Sequence, residues 1–280
     1  MYRDVVRFFC ALLVLSVCCI GHTQEAEGTL KLYVFDCGLL RLDTLEGFSI
    51  ADDETEVRVL SVPCYVIEHP KGHLLWDGGL PSATADIEGW QGEGMQSRLD
   101  RTLADQLPDI GLDMRSFTFM AFSHMHFDHV GVANEVEGAT LIIQNPEYDA
   151  AFADPVVTPG FDPALYSKLK DAKRVVIEGD KDVFGDGRVR VISAPGHTPG
   201  HQVLFLDLEK TGPVVLSGDL YHFALSREKR RVPSFNVDAD QTLKSMDRVD
   251  ALLEETGAKL WIEHELAWFE QLKKSPSYYD

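Results

Sequence analysis

The sequence lacks any apolar run long enough to span a bilayer, any block of Lys and Arg, any low-complexity tract and any repeat at a fixed short period. Each absence removes a class of protein. A spanning helix needs ~20 apolar residues, and the longest run here, Phe8–Ile20, has 13. With 26 Lys and Arg against 45 Asp and Glu, the net charge is −19. That balance argues against nucleic acid or an anionic membrane surface as a partner, because both attract basic patches. No composition break marks a linker, and 280 residues at 45% hydrophobic content can bury a large core. Cysteine is scarce, and three of the five lie at Cys10, Cys18 and Cys19.

The N-terminus reads as a secretory signal. Arg3 and Arg7 precede the apolar run, and Gly21, His22, Thr23 and Gln24 follow it. Val17 stands before Cys18, where a lipoprotein signal requires a small residue. Cleavage is expected between Gly21 and Gln24, giving a signal at 1–23 and one domain at 24–280 in the periplasm or outside the cell. The mature chain would lose two Arg and one Asp, reach a charge of −20, and make no membrane contact. Only Cys37 and Cys64 would remain; in an oxidising compartment they could pair or persist as buried thiols.

Strands are expected at 30–36, 64–68, 74–77, 117–123, 141–143, 175–177, 189–193, 203–208, 214–217 and 259–263, from their β-branched and aromatic content. Residues 38–58 read as a polar loop or flap and 81–97 as a glycine-containing loop, with a short helix to about Asp105. Leu243, Met246, Val249, Leu252 and Leu253 have helical spacing over 239–256, and Gly257 is a stop. The mixture indicates one α/β domain.

Chemistry concentrates at strand ends. Ser123-His124-Met125-His126-Phe127-Asp128-His129 contains H-x-H-x-D-H where an apolar strand ends and a helix is expected to begin. Alternate side chains of an extended stretch share a face, so His124 and His126 can reach one cation while Asp128 and His129 face a second. His197 follows strand 189–193 in a Gly/Pro turn, Asp219 follows 214–217, and His264 ends the last strand. Five His and two Asp at strand ends suffice for two metal sites. His201 reads as structural.

The order H-x-H-x-D-H, G-H-T-P-G-H, S-G-D and a late His resembles the metallo-β-lactamase superfamily from about Leu30 to Asp280. The resemblance implies a four-layer αββα sandwich with two divalent metals at the edge between its sheets. It places His124, His126 and His197 on one metal and Asp128, His129 and His264 on the other, with Asp219 bridging. Asp77 would support the site from behind the ligands or serve as an ordinary turn residue. Zinc suits the N/O donors; iron, cobalt and manganese suit them too.

Within that superfamily the chain resembles the N-acyl homoserine lactonase branch. The resemblance rests on Leu32-Tyr-Val-Phe-Asp-Cys-Gly, Leu74-Leu-Trp-Asp-Gly-Gly, Ser217-Gly-Asp-Leu-Tyr-His222, Leu260-Trp-Ile-Glu-His264 and Leu272-Lys-Lys-Ser-Pro. An Asp at position 219 counts against the β-lactamases of this fold, which carry Cys or Ser there. The implied reaction is opening of a small-molecule lactone or ester by water activated between the two metals, with Asp128 carrying the proton. The lactonases carry Tyr three residues after the bridging Asp; here that position is His222, with Tyr221 one place earlier, and either could orient the carbonyl. Leu39, Phe48, Met95, Phe152, Phe161 and Phe223 are candidates for an apolar acyl wall. An organophosphate or aryl ester hydrolase of the same fold is the alternative, ahead of a non-catalytic metal-binding protein. A homodimer is compatible with the sequence.

Overall fold

The computed structural model describes Met1 and residues 28–280, so the expected signal, apart from Met1, lies outside the described residues. The strands are β1 (Lys31–Leu42), β2 (Val59–His69), β3 (Gly72–Gly78), β4 (Met95–Arg98), β5 (Phe119–Ala121), β6 (Thr140–Gln144), β7 (Arg174–Ile177), β8 (Lys181–Asp182), β9 (Val189–Ser193), β10 (Gln202–Leu208), β11 (Gly212–Leu216), β12 (Lys259–Trp261) and β13 (Tyr278–Tyr279). The helices are α1 (Leu103–Gln106), α2 (Asn145–Ala151), α3 (Pro163–Tyr166), α4 (Ala224–Glu228), α5 (Ala239–Thr256) and α6 (Leu266–Phe269).

One sheet has eight strands in the order β13-β1-β2-β3-β5-β6-β7, with β4 also pairing β1; the other has five, in the order β12-β11-β10-β9-β8. Period-2 alternation sorts the side chains between layers. Leu32, Val34, Leu74 and Trp76 meet Val191, Leu204, Leu206 and Leu216 between the sheets. Tyr33, Phe35 and Leu75 point the other way, onto the α1 residue Leu103, the α2 residue Ala151 and Tyr166 of α3. On the second sheet, Val203 and Phe205 face Met246 and Val249 of α5. The result is the expected αββα layering in one domain. Helix α5 has the expected limits: Asp238 caps its start by accepting the Gln241 N–H at 2.9 Å. Gly257 closes it in the left-handed conformation.

Three local expectations need correction. Residues 38–42 continue β1 past a register shift, because Leu40 and Leu42 bury against a separate cluster containing Phe48 and Leu60. The 81–97 loop ends in β4, which pairs with Leu39–Leu42 of β1. No helix follows the histidine cluster; 128–135 are turns. The groups a helix would use internally are spent on the end of β3: Gly131 N–H donates to Gly79 O at 2.9 Å, and His129 O accepts Gly78 N–H at 2.6 Å. Cys37 and Cys64, left open above, form a disulfide with Cα atoms 5.7 Å apart.

Candidate metal centre

The loops after β5, β9, β11 and β12 converge at one edge of the sandwich. Asp219 lies at their centre. Its Oδ2 is 3.1 Å from His197 Nε2, 3.0 Å from His222 Nε2 and 3.6 Å from His124 Nε2. Its Oδ1 is 2.8 Å from His264 Nε2 and 3.2 Å from His129 Nε2. His126 Nδ1 lies 2.8 Å from His124 Nε2 and 3.1 Å from His197 Nε2. Asp128 Oδ2 faces His264 Nε2 at 3.7 Å and His129 Nε2 at 3.8 Å.

These side chains fall into two groups whose donor atoms all lie within 4.8 Å of one another. One is His124, His126, His197 and Asp219; the other is Asp128, His129 and His264. The seven residues therefore come together in the grouping that the family resemblance implies, with Asp219 between the groups. Burial and neighbouring imidazoles push His124 well below the usual range. Burial also opposes charge on His129 and His264, but Asp219 and Asp128 outweigh it and raise both.

The donor set fits divalent cations. His129 Nε2 and Asp219 Oδ1, both buried, make no well-aligned hydrogen bond among the described residues, close as their neighbours lie. The outer nitrogen of each of the five imidazoles is held by an oxygen, the arrangement that fixes tautomer and ring direction in metal sites. His124 Nδ1 lies 3.0 Å from Ser123 Oγ, and His126 Nε2 lies 3.0 Å from Pro159 O. His197 Nδ1 meets Asn236 Oδ1 at 2.9 Å, and His264 Nδ1 meets Ser61 O at 2.7 Å. His129 Nδ1 lies 3.2 Å from Asp77 Oδ2 and 3.1 Å from Ser123 Oγ. Asp77 takes a positive φ of 55° at the end of β3 and accepts the Ser123 N–H at 2.6 Å, so it is more than a turn residue.

Asp219 is aimed by its backbone. His201 Nε2 accepts the Asp219 N–H at 3.0 Å while His201 Nδ1–H donates to Ala194 O at 3.0 Å. Burial pushes His201 down to about 3, so it stays neutral and serves as an acceptor. Gly218 (φ +47°) must be glycine, since a Cβ there would sit 2.5 Å from Ser123 Cβ.

His222 and Tyr221, adjacent in sequence, face opposite ways. His222 packs edge-on to Phe48 with ring centroids 4.9 Å apart and stacks on His264 at 5.6 Å. Its Nδ1, unlike the outer nitrogens of those five histidines, has no hydrogen-bond partner among the described residues. Tyr221 turns away into the cluster beneath α5 with Met246 and Val249. Burial pushes its hydroxyl up to about 12. The extended backbone at Tyr221 (φ −142°, ψ 131°) sends successive side chains to opposite sides, so Tyr221 cannot orient a substrate and is withdrawn as a candidate.

A cavity of about 70 Å³ opens between Asp128, Asp219, His222 and His264 and an apolar wall of Leu40, Leu42, Phe48, Leu60, Met95, Phe127 and Phe235. Of the acyl-wall candidates, Phe48 and Met95 line it. Leu39 gives way to Leu40 by strand parity. Phe223 sits behind Phe48 at 5.4 Å. Phe161 packs on His126 at 5.7 Å, and Phe152 lies in the outer cluster with Tyr148 and Tyr166. The flap carrying Phe48 is fastened to 229–235: Ser49 Oγ donates to Val232 O at 2.7 Å, and Ser234 N–H to Gly47 O at 2.8 Å. Lys229 and Arg231 both reach Glu54, at 2.8 and 3.1 Å.

Sequence reasoning missed Asn236, Glu147 and Glu263. Burial and the neighbouring Asp77 hold the Glu263 carboxyl above its usual range, 3.7 Å from His129 Nδ1. Its one signal was its place beside His264 at a strand end. Asn236 and Glu147 had none.

Residues 57–256 match the metallo-beta-lactamase superfamily. The N-acyl homoserine lactonase AttM of Azorhizobium caulinodans is 31% identical over 264 residues, covering 90% of this chain and 99% of that one. The N-acyl homoserine lactonase AiiA of Bacillus thuringiensis subsp. kurstaki is 27% identical, with 89% and 98% covered. A solved N-acyl homoserine lactone hydrolase, with the product N-hexanoyl-L-homoserine bound at its catalytic metal centre, superimposes with a TM-score of 0.77. It is 25% identical, covering 90% of this chain and 100% of that one. The chain belongs to the metallo-beta-lactamase superfamily of metal-dependent hydrolases, and the relatives described above are N-acyl homoserine lactonases.

Proposed function

We propose that the protein is a dinuclear hydrolase that opens N-acyl homoserine lactones, with zinc as its metal. The observation that carries this reading is the pairing of two His/Asp groups about Asp219 with an apolar wall on the open side. His124, His126 and His197 would hold one cation, Asp128, His129 and His264 the other, and Asp219 both. The cations would supply an acidified water and a Lewis acid for the ester carbonyl.

The chain's own groups account for the remaining steps. His222, whose Nε2 lies 3.0 Å from Asp219 Oδ2 at the cavity, holds the carbonyl in place through an N–H, at the position where the lactonase resemblance leads one to expect a tyrosine. Asp128, at the cavity and beside His264, moves the proton to the ring oxygen as the ester bond breaks. Phe48, Leu40, Leu42 and Phe127 keep bulk water out and seat the start of an acyl chain. At about 70 Å³ the cavity is smaller than the ~300–1,000 Å³ of ordinary ligand sites. A long acyl chain therefore leaves it past Met95 and Phe235, which are 41% and 37% exposed. Export through the N-terminal signal belongs to the same proposal, and the Cys37–Cys64 disulfide supports it, since such bonds persist in oxidising compartments.

The test is to purify the chain from Gln24 onward, measure its metal content, and follow acid release from butanoyl and decanoyl homoserine lactone alongside paraoxon turnover. About two zinc ions per chain with rapid lactone opening is the expected result. Two metals with paraoxon turnover and inert lactones would replace the lactonase reading with the phosphotriester one.

A further inference from the structure

Glu147 is a buried carboxylate to which the proposed reaction assigns nothing. It lies in the first turn of α2, 2% exposed, on the outer side of the histidine loops. Its Oε1 accepts the N–H of Met125 at 2.9 Å, and its Oε2 accepts the N–H of Gly200 at 2.7 Å. Met125 is the residue between His124 and His126. Gly200 lies three residues past His197 and immediately before His201. One carboxylate thus ties the loop after β5, in the eight-stranded sheet, to the loop before β10, in the five-stranded sheet.

The approach is close enough to constrain the sequence. A Cβ on Gly200 would stand 2.6 Å from Glu147 Cβ and 2.6 Å from Glu147 N, so the loop carrying His197 can only come this near with glycine there. Two further links join the same loops nearer their strands. Gln202 N–H donates to Ser123 O at 2.9 Å and Gln202 Nε2 donates to Phe122 O at 2.9 Å. Those fix the roots of the loops, whereas Glu147 fixes the stretches that carry the imidazoles.

We propose that Glu147 is a positioning residue for the first cation: it clamps the His124/His126 loop to the His197 loop and so sets the spacing of that three-imidazole group. The inference rests on the assignment of those histidines as ligands under the proposed function. Both Glu147 oxygens accept backbone N–H groups within three residues of the imidazoles, at 2.9 and 2.7 Å, so the tie rests on geometry. Partners one step removed from a metal commonly control affinity by ~10–100-fold. Glutamine at 147 would present an NH₂ to one of the two N–H donors and break that tie. Aspartate keeps the carboxyl but is a methylene too short to span both loops.

Zinc retention is measured for wild type, Glu147→Gln and Glu147→Asp during titration with a competing chelator. Each protein is also melted with and without zinc, and the visible absorption of the cobalt(II)-loaded forms is recorded. The expected result is that wild type retains two zinc ions. Both variants should release one of them ~10–100-fold more readily, gain less in melting temperature on adding zinc, and show an altered spectrum for the weakened cobalt site. A general packing defect would instead lower the melting temperature of the metal-free protein and leave the zinc-dependent gain unchanged; that result would overturn the proposal. Wild-type chelator resistance in either variant would overturn it as well. Failure of the wild type itself to hold two zinc ions would overturn the proposed function and the clamp together.

Discussion

Replacing His222 with phenylalanine separates the two things this side chain does. A flat ring at 222 keeps its seat among Phe48, Phe235 and His264, whose centroids lie 4.9, 5.8 and 5.6 Å away. Both nitrogens are lost. Removal of one pre-aimed donor from a developing oxyanion typically costs ~10²–10³ in kcat, or about 2.7–4 kcal/mol. Because the contact strengthens as charge builds on the carbonyl, kcat and kcat/KM should fall together while KM changes little. Metal content should not fall, since His222 belongs to neither donor group, although its Nε2 lies 3.0 Å from Asp219 Oδ2. The assay is initial-rate kinetics on hexanoyl homoserine lactone, run beside metal analysis of the same preparation. His222→Tyr, which restores a hydroxyl at this position, should recover part of the loss. Depletion of metal from His222→Phe would make His222 a ligand and refute the reasoning; an unchanged kcat would refute it from the other side.

Three further outcomes are expected. Asp219→Asn removes the charge shared by five imidazole contacts, so metal content should fall by about one ion per chain and turnover should collapse, as plasma emission analysis and kinetics would show. Phe48→Ala deletes a ring worth about 1.5–3 kcal/mol when buried, and because that ring seats the start of the acyl chain it should raise KM for the butanoyl and decanoyl lactones by a similar factor, about tenfold or more, in initial-rate kinetics. Cys37→Ala with Cys64→Ala opens a loop with a sequence separation of 27; the chain-entropy relation gives about 3.5 kcal/mol. That is roughly 7 °C or more in melting temperature for a chain of this size, readable by comparing the variant with oxidised wild type.

The metal cluster was legible because its chemistry is local: H-x-H-x-D-H needs only the alternation of a strand and one turn. The remaining candidate ligands were legible because apolar strands announce their own ends. Helix α5 was legible in its limits and its Gly257 stop, since both act within one turn; the Asp238 cap emerged only in the structure. The groups that hold the cluster in shape were not. Asn236 meets His197 across 39 residues, Glu147 meets Gly200 across 53, and Ser61 meets His264 across 203. No periodicity encodes such pairings. Parity errors account for other misses: Leu39 against Leu40 and Tyr221 against His222 each turn on one residue of extended chain. The helix expected after His129 failed because Gly78 and Gly79 claim its backbone groups, a competition visible only once β3 stands beside the loop.

The fastening of the flap onto 229–235 has a consequence for how this enzyme can diverge. Arg231, Val232 and Ser234 hold the flap, Phe235 forms part of the apolar wall, and Asn236 holds His197. Six consecutive residues thus fasten the flap, border the cavity and brace an imidazole together. A change at Phe235 that suits a different acyl chain also disturbs its neighbour's grip on an imidazole. Phe48, Leu40, Leu42 and Met95 border the same cavity from segments that contribute none of the proposed ligands. Substrate range can drift on that side without taxing turnover, which makes one bank of the cavity evolvable and the other conservative.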